Sequence, residues 1–71
     1  MAEDVRAELV SVVFQIVVNE GDTVTEGDTL VILESMKMEI PVLAESAGTV
    51  TSIQVKEGDA IKQGDLIAVI S

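Results

Sequence analysis

The chain has 71 residues, enough for one small domain whose core is marginal unless it packs efficiently. It contains neither Cys nor His, which excludes a disulfide framework and the usual zinc constellations and leaves a 48% apolar fraction to supply stability. A formal charge of -9 opposes binding to nucleic acid or to an anionic membrane surface and favours a partner with a basic docking surface.

The opening "MAEDVR" carries acids and no basic region ahead of an apolar run, so it does not read as a secretory signal, and a cytoplasmic location is expected. Residues 9–18, "LVSVVFQIVV", are broken by Ser11 and Gln15 and are too short to span a bilayer. Taken alone they fit a strand or a buried helix, because a continuous apolar run hides its period. A turn at residues 20–22 follows, then a brief strand near Val24, a second turn at Gly27-Asp28 and a strand over residues 30–33. Next come "TLVILE" and "MEIPVL", both strand-like, with Met36 and Lys37 between them at the tip of a hairpin. Neither is the Gly or Asn that a two-residue turn favours, which invites a functional explanation.

Sliding the chain by 37 positions aligns residues 7–34 with residues 44–71 and gives ten identities, including "EGD" at both Glu20 and Glu57. A unit this short cannot bury its own apolar face, so the halves are expected to pack on each other as a single domain over residues 1–71. The repeat also resolves the first run. Its mate, "SAGTVTSIQV" at residues 46–55, has Gly48, two Thr and a poor helical stripe, so both copies read as strands. Val50, Ile53 and Val55 skip a beat, which predicts a bulge or strong twist. The fold class expected is all-β: a flattened barrel or sandwich of two antiparallel units facing each other with quasi-twofold symmetry, and the central hairpin joining them.

Catalysis by the chain alone has little to draw on, and no catalytic residue is assigned. A Ser-Lys pair would have to come from Ser35 and Lys37, neighbours on one exposed tip that does not shield a reaction from water. The acids of "EGDTVTEGD" lack the spacing of a calcium loop, and Gly-Asp turns explain them. No metal site is expected. Lys37 itself has a plain reading as a solvated lysine offsetting Glu34 and Glu39, though such surface pairs contribute little and do not explain its position.

"ESMKMEIPV", with Lys37 between Met36 and Met38, resembles the biotin-attachment motif of the biotinyl/lipoyl carrier family. The likeness extends over the rest of the chain from about residue 7, through "VVNEGDTVTEGDTLVILESMKMEI" and "AGTVTSIQVKEGDAIKQGDLIAVI". The family fold is the barrel-sandwich hybrid, two four-stranded antiparallel sheets with the modified lysine on the central hairpin. The resemblance implies covalent biotin on Lys37, flanking recognition by Met36 and Met38, and a hairpin context of Glu34, Ser35 and Glu39. It implies a biotin protein ligase as partner, which activates biotin as its adenylate and is expected to promote deprotonation of the lysine. It implies further that the group serves a biotin carboxylase and a carboxyltransferase as a swinging arm, the carrier supplying no chemistry. Lipoate is the alternative cargo, although lipoyl domains more often show Asp-Lys-Ala at the tip; an unmodified interaction or scaffold domain is the alternative of another class.

Three departures stand out. Ser35 occupies a position where the family most often has Ala. "RAELVSVV" lacks the Pro-Met-Pro-Gly-like start of many biotin carriers. There is neither an Ala/Pro-rich linker nor room for a thumb insertion, and the ends are those expected of a standalone carrier. Finally, Val12, Phe14 and Val17 correspond in the repeat to Thr49, Thr51 and Gln54, which points either to a partner or weak-dimer patch on an otherwise monomeric protein, or to cover by the N-terminal segment.

Overall fold

The computed structural model describes residues 2–71, and among them every regular element is a strand. In chain order these are β1 (Glu3–Arg6), β2 (Ser11–Ile16), β3 (Thr23–Val24), β4 (Thr29–Ser35), β5 (Met38–Leu43), β6 (Gly48–Ile53), β7 (Ala60–Ile61) and β8 (Leu66–Ile70). They form two four-stranded sheets, β1-β8-β6-β3 and β5-β4-β2-β7, with all pairings antiparallel. The all-β, two-sheet architecture expected from the sequence is thus the one observed.

The sheets are not the two halves of the repeat. Each takes two strands from the first half and two from the second: β1 and β3 cross to join β8 and β6, while β5 and β7 cross to join β4 and β2. The picture of two units facing each other is therefore corrected to two interleaved units. Four of the six strand pairings join one copy to the other, and only β2–β4 and β6–β8 lie within a copy, so neither copy has a complete sheet to fold around.

The strand correspondence also reaches further than the residue identities. β1 is the mate of residues 40–43 in β5, although only Val5 matches Val42 by identity there. Sequence reasoning placed no strand at β1. Its signal was the shared burial pattern, with Val5 inward and Asp4 and Arg6 outward, masked by the charges that the outer face admits.

The predicted bulge is present in both copies. Val13 faces Leu33 and Gln15 faces Ile32, leaving Phe14 as the extra residue of β2; Val50 faces Ile70 and Ser52 faces Val69, leaving Thr51 extra in β6. The four Gly-Asp turns share one construction. In the first, the Asp22 carboxylate accepts from the Asn19 amide at 2.9 Å while the Asp22 amide donates to the Asn19 carbonyl at 3.1 Å. Gly21 has φ 95° there, a left-handed conformation open to glycine at little cost. Its amide donates to the Val50 carbonyl at 2.7 Å, and Gly58 repays this to Val13 at 2.7 Å, so the turns stitch one copy to the other.

The core is built from repeat mates: Leu30 with Ile67, Leu33 with Ile70, Val13 with Val50, Val24 with Ile61 and Ala7 with Ala44, all buried. Side chains of matched size on either side of the axis fill the space between the sheets without an aromatic. The only buried polar side chain recorded there, Ser11, donates its hydroxyl to the Leu9 carbonyl at 3.1 Å. Glu3 faces Ile70 as Ile40 faces Leu33, so the β1–β8 pairing is the symmetry equivalent of the β4–β5 pairing.

Candidate functional site

The β4–β5 ladder runs unbroken through Leu33–Ile40, Glu34–Glu39 and Ser35–Met38, and then closes on two residues, Met36 and Lys37. Their φ angles are 52° and 64°, both left-handed, the signature of a type I′ turn. Among the described residues these are the only non-glycine positions with positive φ. An L-residue there costs about 1–2 kcal/mol relative to the right-handed form. Strain of this kind persists where the surrounding ladder holds the turn and the side chain is needed.

Lys37 is exposed, and Met36 beside it is 92% exposed. Met38 is exposed too, so neither methionine fills the core as a gap-filler would. Among the described residues Lys37 enters no hydrogen bond or ion pair, since the one salt bridge there joins Arg6 to Asp4. The reading of Lys37 as a counter-ion for Glu34 and Glu39 is therefore not what the geometry gives. Those two carboxylates face each other across the ladder instead, one pair inside the tip.

Ser35, the departure from the family's usual Ala, has a specific task. Its hydroxyl donates to the Val10 carbonyl at 3.0 Å, fastening the last residue of β4 to the loop that precedes β2. The hairpin is thus braced from one side by an element distant in sequence, which sequence reasoning did not foresee. A groove of about 490 Å³ between β1 and β5 is lined by residues such as Arg6, Pro41 and Leu43 and by none of residues 34–39. The candidate site is a protrusion and not a cleft. What such a tip does chemically is offer one primary amine, on a four-carbon stem, to another protein's active site.

Residues 2–70 match the family model described as "Biotin-requiring enzyme". A Mycobacterium leprae protein described as a biotinylated protein TB7.3 homolog is 65% identical over 71 residues, covering 100% of both chains. A Mycolicibacterium smegmatis protein of the same description is 75% identical over 44 residues, and this match covers 62% of each chain. Among solved structures, Kluyveromyces lactis urea carboxylase aligns with a TM-score of 0.94 at 39% identity, over 100% of this chain and 6% of that one. A single-chain, multi-domain long-chain acyl-CoA carboxylase aligns with a TM-score of 0.89 at 31% identity, over 96% of this chain and 7% of that one. The chain thus spans a small fraction of either carboxylase. With a family match over almost its whole length and a full-length relative at 65% identity, the chain belongs to the biotin/lipoyl attachment family.

Proposed function

We propose that this chain is a biotin carrier, with biotin held in amide linkage on the ε-amine of Lys37. The observation that carries the reading is the turn itself: the hairpin closes on two strained non-glycine residues, and the lysine among them has no partner within the described structure. Relatives described as biotinylated proteins and neighbours that are carboxylases support biotin over lipoate.

The residues present fit such a group. Lys37 supplies the nucleophilic nitrogen, and its stem holds the attached group clear of the sheets. β4 and β5 keep the tip from folding back, and Ser35 fixes it to Val10. Met36 and Met38 present polarizable thioethers for the ligase to read. Biotin, when bound, supplies a carrier for carboxylate between a biotin carboxylase and a carboxyltransferase. Tethering raises its effective concentration at each active site, and the carrier contributes no catalytic residue of its own. A monomer working in the cytoplasm fits this role.

Intact mass and avidin blotting after co-expression with a biotin protein ligase or a lipoyl ligase test the reading. One biotinyl group per wild-type chain is expected, none on Lys37→Arg, and no lipoyl group. Modification that persists in Lys37→Arg, on Lys56 or Lys62, overturns it.

A further inference from the structure

The repeat makes two sheets of the same backbone but gives them different outer faces. On β2 and just beyond it, Val12, Phe14 and Val17 are 42%, 49% and 46% exposed. Their mates on the other sheet, Thr49, Thr51 and Gln54, are exposed as well but polar. Burial does not demand the apolar set, because the same backbone positions are filled by Thr and Gln across the axis. Nor does the N-terminal segment cover it: β1 pairs with β8 at the edge of the other sheet.

The apolar face is continuous with the tip. Val12 is the ladder partner of Glu34, whose other neighbour is Glu39, and the preceding residue but one, Val10, is the residue to which Ser35 is tied. A partner that handles the hairpin from this side meets an apolar centre with two carboxylates at its edge. From the opposite side it meets threonines.

We infer that this face, from Val10 past Val12 and Phe14 to Val17, is the surface on which the biotin protein ligase seats the carrier, through an apolar patch bordered by Arg or Lys that meets Glu34 and Glu39. The inference rests on Lys37 being the biotinylated residue. A ligase must bring the lysine amine itself into its active site, so its footprint includes the hairpin and the sheet behind it. A standard protein interface takes about 800 Å² per partner, which reaches well beyond a two-residue turn. A second copy of this chain fits poorly, since each copy carries a charge of -9.

The test is steady-state biotinylation with purified biotin protein ligase, ATP and biotin, varying the carrier. The triple variant V12T/F14T/V17Q installs the residues that the repeat mates already hold on the same backbone. It is expected to raise the KM for carrier roughly tenfold or more with little change in kcat. A control on the opposite face, T49S/Q54N, is expected to keep the wild-type KM, and raised ionic strength to increase it for the wild type. A triple variant with wild-type KM, while the wild type is modified on Lys37, overturns the docking surface alone. Absence of biotin on Lys37 in the wild type overturns the carrier reading and the docking with it. A concentration-dependent dimer by sedimentation that the triple variant loses assigns the face to a second copy and likewise overturns the inference.

Discussion

The Glu57 carboxylate accepts a hydrogen bond from the Ile16 amide at 3.0 Å, and its repeat mate Glu20 accepts one from the Ile53 amide at 2.9 Å. In each case the acid belongs to one copy and the amide to the other. Both amides lie at the last residue of a strand, β2 or β6, after the bulge has broken the regular ladder. The first acid of "EGD" thus satisfies a backbone donor that the bulge would otherwise leave to water. Each of Glu57→Ala and Glu20→Ala is expected to lower stability by about 1 kcal/mol, less than is usual for a charged acceptor because the sites are exposed. For a domain of this size that lowers Tm by about 4–8 °C. Urea unfolding monitored by far-UV circular dichroism checks both; unchanged midpoints would show that water serves these amides equally well.

The Met36-Lys37 turn predicts a trade between stability and modification. Replacing the pair by Asn-Gly, through M36N/K37G, puts into a type I′ turn the residues that occupy it most readily. The double variant is expected to gain about 1 kcal/mol in stability from relieved strain while losing the attachment amine. Thermal melts of both chains, with avidin blotting after co-expression with ligase, measure the two effects together. A variant no more stable than the wild type would mean that the ladder imposes no strain on the turn.

Much of this arrangement is legible in the residues, for physical reasons. The repeat is visible because Gly21, Gly27, Gly58 and Gly64 all adopt left-handed backbone, and the Asp after each closes the same turn. Lys37 is visible because it falls between the copies, where a turn must be. The strand exchange is not legible: an alternating pattern fixes which side of β1 or β3 faces inward but not which strand lies beside it. Ser35 is hidden for a similar reason, since its partner is a backbone carbonyl 25 positions away and any residue would have offered one.

Ser35→Ala isolates that brace. The substitution removes one exposed hydroxyl-to-carbonyl bond, so the global cost is expected to be small, about 0.5 kcal/mol. The local effect is larger, because the bond ties the end of β4, next to the turn, to the loop that precedes β2. Hydrogen exchange at the amides of residues 36–38 is expected to accelerate relative to the core strands. Biotinylation should persist, as Ala is the common residue at this position in the family. Exchange rates at the tip indistinguishable from wild type would show that the β4–β5 ladder alone fixes the hairpin.

Glu34 and Glu39 set stability against recognition. Like charges directly opposite on an antiparallel pair are destabilising, and the pair stands next to the turn where no cation compensates it within the described structure. Glu34→Lys converts the repulsion into an opposite-charge pair, and a gain of about 0.2–1 kcal/mol is expected. The same change places a cation where a basic ligase surface is to dock, so kcat/KM for biotinylation is expected to fall even as Tm rises. Glu34→Gln, which removes the repulsion without adding a positive charge, should fall between. Melting curves and ligase kinetics at low and high salt follow the two quantities separately. If Glu34→Lys is biotinylated as fast as the wild type at low salt, the acids are not read by the ligase, and their retention opposite one another needs a different cause.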